Sequence, residues 1–303
     1  MTQDHHTRRA WFAWVTICLV WGTTYLAIKV ALVTVPPFLL GGIRNVLASG
    51  LMLVALLLQR RPLPSRSALL TQAVLGFFML TLGNGGVVNG EAYLNSGLTA
   101  VLVATSPFWM VGMDAVLPGS ARLQWRQLLG MSIGFLGIVM LVWPDLSVGG
   151  ASGRDTLLGV LSVQIACMGW AAASAYSKRH VVSIDVMGAS MLQMFFGGLF
   201  MLVIGAAHGE VAKFSLTPSS AAALAYLTVL GSVVAYVAYS YALRHLPIAV
   251  VSLYTYVNPV IAVALGILLL HEPFNVRQLA AAAVIAIGMA VVRPRKAPEG
   301  DVS

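Results

Sequence analysis

Charge is what this sequence has least of. Only 9% of its 303 residues are Asp, Glu, Lys or Arg, against about 25% in a soluble globular domain. So few charges cannot cover a water-facing surface, which excludes an ordinary soluble protein. With 59% hydrophobic residues and a mean hydropathy of +0.87, the chain reads as a polytopic membrane protein. Cysteine is nearly absent too: Cys18 and Cys167 both fall inside apolar runs, so no disulfide framework is implied. The net charge of +8 is spread in small groups between apolar runs, without a basic face, and no nucleic-acid partner is expected.

Several catalytic signatures are missing as well. There is no GxSxG, no HExxH, no Gly-rich phosphate loop and no long soluble domain. The six histidines, His5, His6, His180, His208, His245 and His271, have no ligand spacing. No metal and no cofactor is expected, and the chain is not expected to be an enzyme. A membrane-embedded enzyme and a non-transporting scaffold stand as remote rivals. Primary active transport by this chain alone is improbable for want of a nucleotide site.

What is there is a series of apolar runs of about 20 residues, each able to cross about 30 Å of hydrocarbon as a helix. Ten are read: 11–31, 37–58, 69–89, 94–117, 124–144, 156–177, 186–207, 218–242, 246–270 and 275–293. Turn chemistry or charge separates them, as in Pro36-Pro37, "RRPLPSR", "PGSAR", "WPDLSVGGASGRD", "LTPSS" and "HEPFN". Arg8 and Arg9 before the first run resemble a signal peptide, but no small-residue cleavage site follows, so a retained first helix is expected. With the N-terminus inside, thirteen Lys and Arg residues face the cytoplasm and three, Arg154, Lys213 and Arg277, the other side. Ten crossings return the C-terminus to the cytoplasm.

The chain also repeats itself. "ICLVWGTTYLAIK" (17–29) aligns with "ACMGWAAASAYSK" (166–178), matching Cys18 to Cys167, Trp21 to Trp170 and Lys29 to Lys178 at an offset of 149. The same offset sets Arg44 against Gln193, and an offset of 152 sets Asn84 on Tyr236 and Pro107 on Pro259. "RQLLGMSIGFLG" (126–137) then matches "RQLAAAAVIAIG" (277–288). Five spans per half is an odd number, so the second half is expected upside down relative to the first. Inverted repeats are the usual build of secondary transporters, with the solute site near the midplane between halves.

Transport needs polar groups facing such a cavity. Trp21, Tyr25 and Lys29 lie four apart on one helix face, with Thr24 beside them, and Trp170, Ser174 and Lys178 repeat the spacing. They read either as cavity walls or as an interfacial aromatic belt with snorkelling lysines. The depth of Trp21 and Trp170 favours the cavity, whereas Lys29 and Lys178 read as snorkelling. Arg44, about seven residues inside its span, must meet a carboxylate, helix carbonyls or a wet cavity. Glu91 is the carboxylate expected near it. Asn84, Tyr236, Thr105, Ser106, Tyr254 and Asn258 serve either helix–helix hydrogen bonding or solute contact. Glu91 and Asp114 are the carboxylates that proton coupling could use, with an antiporter and a passive facilitator both open.

"WGTTYLAIK" followed by "PPFLLGGIRNVLA", "LGNGGVVNGEAYLNSGLTAVLVATSPFW" (82–109) and "GSVVAYVAYSYALRHLPIAVVSLYTYVNPVIAVALGILLLHEP" (231–273) resemble EamA domains of the drug/metabolite transporter (DMT) superfamily, bacterial inner-membrane permease branch. The resemblance implies an all-α multi-pass protein of the cytoplasmic (inner) membrane, with ten transmembrane helices as two inverted five-helix repeats and both termini cytoplasmic. The parts are a tail at 1–10, a first repeat at 11–144, a linker at 145–155, a second repeat at 156–293 and a tail at 294–303. Its implied activity is alternating-access export of small metabolites: amino acids, related aromatic or amphipathic compounds, or drugs. Import of a metabolite or vitamin is the alternative. The implied partners are a small-molecule substrate, the lipid bilayer and a coupling proton. The family glutamate after a repeat's fourth helix occurs once, as Glu272; the first repeat has "PGS" at 118–120 instead.

Overall fold

The computed structural model describes residues 2–116, 124–148, 150–179, 184–246, 251, 253–272 and 276–292, and every regular element among them is helical. The helices begin where the sequence carries start signals. Pro37 opens α2 (Pro37–Leu58) behind an extended Pro36, and its fixed φ suits a first turn whose N–H groups lack partners anyway. Asn95 caps α5 (Ser96–Val103), its side chain accepting from the Leu98 N–H at 2.7 Å. Asp185 caps α9 (Val186–Ala207) through the N–H groups of Met187 and Gly188. Thr217 and Ser220 form a capping box at α10 (Pro218–Tyr226).

The remaining helices are α1 (Thr2–Leu32), α3 (Leu69–Leu75), α4 (Gly85–Tyr93), α6 (Ser106–Val116), α7 (Trp125–Val148), α8 (Gly150–Arg179), α11 (Ala235–His245), α12 (Tyr254–Leu270) and α13 (Val276–Val292). Among the described residues, seven stretches are long and apolar enough to cross a membrane, and Trp125–Leu141, Tyr254–Leu270 and Val276–Val292 are shorter apolar helices. The long helices are broken at 33–36, 59–65 and 208–217, short 3-10 turns at 66–68 and 210–213 apart, and residues 2–10, 145–148 and 150–155 are helical. Parts of several connections, with the side chains of Asp114 and Lys178, lie outside the described residues.

Two spans read as regular helices are not regular. Gly76–Asn84, between α3 and α4, and Leu227–Val234, between α10 and α11, are π-helical. The Gly85 N–H reaches back five residues to Leu80 O, and the Ala235 N–H to Leu230 O. Such π segments bulge one residue out of the α ladder and often mark functional sites. The span expected at 94–117 is also interrupted, at Ala104–Thr105. Pro107 has no N–H and its ring crowds the carbonyl four residues back; that carbonyl, Val103 O, is taken by Ser106 Oγ at 2.7 Å.

Lipid tails give apolar helices no reason to associate, so small residues at the contacts decide the packing. α2 lies along α9, with Gly42 against Leu202 and Gly198 against Val46. α7 lies along α13, where a Cβ on Gly130 would stand 2.5 Å from the Gly288 carbonyl and the reverse distance is the same. Each of these pairs joins a helix to its own copy in the repeat. The "GNGG" glycines bring α4 onto α8, since a Cβ on Gly86 would meet Ser162 O at 2.9 Å. One core gathers Ile17, Met52, Leu75, Met194 and Tyr239, another Leu102, Phe108, Leu141, Val163 and Ile285. Outward-facing positions stay apolar, with Phe12, Leu58 and Val260 largely exposed, as a lipid-facing surface requires.

Candidate functional site

Between the two halves lies a cavity of about 800 Å³, open solvent at its mouth included. α1 gives it Trp21, Thr24, Tyr25 and Ile28, the i, i+3, i+4, i+7 face of one helix. α2 adds Arg44 and Asn45, and the first π segment Leu80, Gly83 and Asn84. Val87, Val103 and Ser106 continue that wall. From the second half come Ala166, Cys167 and Trp170 on α8, Met194 on α9, Gly231 and Ser232 on the π segment, Tyr236, Tyr254 and Asn258. The paired helices α7 and α13 contribute nothing to the lining.

The repeat offsets recur in this lining. Trp21 faces the cavity with Trp170, Asn45 with Met194, Leu80 with Ser232, Asn84 with Tyr236, and Ser106 with Asn258. The two π segments therefore carry equivalent positions into one space. Of the residues expected at the cavity from sequence, Ser174 and Thr105 are elsewhere: the Ser174 hydroxyl donates to the Trp170 carbonyl of its own helix at 2.8 Å and that of Thr105 to the Leu102 carbonyl at 2.7 Å.

Aromatic rings crowd one region. The Trp21 ring centroid lies 6.0 Å from Trp170, nearly perpendicular, 5.0 Å from Tyr254 and 5.3 Å from Tyr239. Edge-to-face contacts of this kind suit the ring quadrupoles. Trp21 Nε1 donates to Gly231 O at 3.1 Å, and Thr24 Oγ1 to Trp21 O at 2.7 Å. Tyr236 donates to Gln193 and lies 3.1 Å from Met79 Sδ, while Gln193 donates to Gln72 at 2.7 Å. With its amide turned to satisfy both, Asn258 donates to the carbonyls of Cys18 and Tyr254 at 3.1 Å. The Asn84 side-chain oxygen is buried and has no hydrogen-bond partner.

Among the described residues of the lining, Arg44 is the one charged side chain. It is 4% exposed, its Nε donates to Ser232 Oγ at 2.6 Å, and its Nη1 has no hydrogen-bond partner. The expected Arg44–Glu91 ion pair is not formed: among the described residues the ion pair within 4.0 Å is Arg61–Asp185, at 3.4 Å. Ser232, on the second π segment packed against α2, takes the place beside the guanidinium. Glu91 is fully buried outside the lining, and neither carboxylate oxygen has a hydrogen-bond partner.

Lys29 is also outside the lining. Its Nζ donates to Glu91 O and Leu94 O, each at 2.6 Å, which places the ammonium on the unpaired carbonyls at the end of α4. Two carboxylates from the second half serve helix starts at the same end of the bundle. Glu272 accepts from Ser96 N at 3.0 Å and Ser96 Oγ at 2.8 Å. Glu210 accepts from Leu39 N at 2.9 Å. Sequence reading missed Glu210, Ser232, Asn45 and Cys167. For Asn45 and Cys167 a signal existed, because Asn45 adjoins Arg44 and Cys167 is paired with Cys18 by the repeat.

The EamA-like transporter family matches residues 9–143 and again 157–293. The chain belongs to that family. Among curated relatives of this EamA-like chain, the "Uncharacterized inner membrane transporter YedA" of Escherichia coli (strain K12) is 34% identical over 278 residues, covering 90% of this chain and 87% of YedA. The "Uncharacterized transporter YoaV" of Bacillus subtilis (strain 168) is 24% identical, covering 91% and 93%. A solved crystal structure shares the fold with a TM-score of 0.65 at 20% identity, covering 93% of this chain and 95% of the other. The two matched segments of the EamA-like family are the two halves whose equivalent residues line the cavity.

Proposed function

We propose that the chain is a secondary transporter of the cytoplasmic (inner) membrane that exports small metabolites through this cavity by alternating access. The solutes are amino acids or related amphipathic and aromatic compounds, including drugs of that shape. One observation carries the reading: equivalent positions of the two halves, Trp21 with Trp170 and Asn84 with Tyr236 among them, converge on one cavity. A site on an inverted-repeat axis can face either side when one half rocks against the other. The reading takes 11–144 and 156–293 as the two five-helix repeats, with both termini cytoplasmic as the thirteen-to-three bias of basic residues favours.

A comparison of metabolites in cells lacking and overproducing the protein, followed by flux of the leading solute in proteoliposomes, tests the proposal. Saturable flux that Trp170→Ala lowers about tenfold or more supports it, since stacking on such a ring is worth about 1–3 kcal/mol. Absence of saturable flux for every solute that changes in the cells contradicts it.

Coupling to protons is part of the proposal. Glu91 can take up a proton without breaking a hydrogen bond, because its carboxyl makes none. Flux driven by an imposed pH gradient, abolished in Glu91→Gln while solute binding persists, is the expected result. Gradient-driven flux that survives in Glu91→Gln removes Glu91 from the coupling.

A further inference from the structure

We infer that the solute carries an anionic carboxylate or similar oxyanion, held by Arg44, beside a flat apolar group held by the aromatic rings. This rests on the transport reading and narrows it: the transported species bears a net negative charge, rather than being a zwitterion or a cation. A guanidinium stays protonated and is costly in a low-dielectric interior unless something answers it. Arg44 is almost wholly buried in the cavity lining, yet among the described residues it makes one hydrogen bond, from Nε to Ser232, and its buried Nη1 has no partner. Glu91, the carboxylate it feels electrostatically, lies beyond ion-pair distance and outside the lining. Among its described residues the lining therefore carries one fixed positive charge, on a guanidinium with an unsatisfied donor, and no carboxylate. A carboxylate satisfies both the charge and the donor, whereas an ammonium finds no carboxylate in the lining to receive it.

The aromatic part follows from the position of Gly231. Its carbonyl accepts from Trp21 Nε1 at 3.1 Å, and a Cβ placed on it would lie 3.3 Å from Arg44 Nη2. Guanidinium and indole thus meet at one residue, so a ligand whose oxyanion reaches Arg44 brings its next few atoms against the Trp21, Trp170 and Tyr254 rings. The unpartnered Asn84 oxygen adds an acceptor for a hydroxyl or N–H on the same ligand. Short carboxylates attached to one ring match this arrangement.

The test uses the full-length protein in proteoliposomes with four probes of one size: 3-phenylpropionate, its amide, 3-phenylpropylamine and phenylalanine, inside a wider panel of neutral, cationic, zwitterionic and anionic metabolites. Quenching of tryptophan fluorescence reads binding, and uptake reads flux. Expected is saturable binding of 3-phenylpropionate at least about tenfold tighter than of the amide or amine, the least that a lost hydrogen bond to a charged group gives. Arg44→Gln removes that preference, and Arg44→Lys restores part of it. Wild-type selectivity alone decides the matter if Arg44→Gln does not fold. Preference for the amine, the amide or phenylalanine, or a carboxylate preference that survives in Arg44→Gln, overturns the inference and leaves the transport reading standing. Saturable flux of no member of the wider panel overturns both.

Discussion

At the scale of single residues, the geometry around Gly231 carries the clearest consequence. A Cβ there would lie 3.0 Å from Thr24 Cγ2 and 3.3 Å from Arg44 Nη2, so Gly231→Ala pushes directly on the guanidinium. Flux is expected to fall about tenfold, the scale of one charge-assisted hydrogen bond, while the protein still purifies folded. Gly50→Ala is the control, because a Cβ at Gly50 meets nothing within 4 Å and exchanging a helical Gly for Ala gains about 0.5–1 kcal/mol. Lys29 sits at the other extreme. Its ammonium answers helix carbonyls outside the cavity, so Lys29→Met is expected to cost about 1 kcal/mol of stability and to leave ligand binding unchanged. A thermal-shift series with and without solute separates these outcomes. Part of this was legible in the sequence: Trp21, Thr24, Tyr25 and the Trp21–Trp170 match needed only spacing, whereas Lys29, placed on the same face, lies outside the lining and Ile28 lies in it. Ser174 was misread because a helical serine can return its hydroxyl to its own backbone, which spacing cannot reveal. Arg44 read correctly as a problem, but Ser232, its partner, comes from the other half and no local pattern points to it.

At the scale of elements, irregular helices define the site. The Pro107 interruption could be read from the sequence as a freed carbonyl, although a full break at Ala104–Thr105 could not. The π segments at Gly76–Asn84 and Leu227–Val234 had no legible signal, because a five-residue hydrogen-bond step depends on what packs alongside. Here the neighbours are specific: a Cβ on Gly76 would stand 2.6 Å from Gln193 O on α9. The α7–α13 contact makes a separate prediction. Backbone on both sides cannot yield, so Gly130→Val is expected to lower stability by at least about 1–3 kcal/mol, the usual cost of overpacking, and to reduce the yield of folded protein in detergent. The mirror change, Gly288→Val, is expected to do the same. Neither touches the cavity, so any protein that does fold keeps its solute selectivity. The caps from Glu210 and Glu272 belong to this scale too, since each ties a helix start of the first half to the second half at one end of the bundle. Any transition that parts the halves there must break them.

At the scale of the whole molecule, low charge, ten apolar runs and the offset repeat made the class legible, and the basic-residue bias gave it an orientation. The two-fold arrangement shows in the packing, where α2 meets its copy α9 and α7 its copy α13. What spacing could not give was the division of labour: the pair α2 and α9 brings lining residues, while α7 and α13 only brace each other. The central claim is that one cavity, shared by two equivalent halves, is reached from both sides of the membrane in turn. The most direct measurement replaces Cys18 and Cys167 by alanine, introduces Asn84→Cys, and follows its reaction with a small membrane-impermeant thiol reagent added from either side. The account predicts labelling from both sides, at rates that change in opposite directions when solute is bound. Labelling from one side only, whatever the solute present, would contradict it.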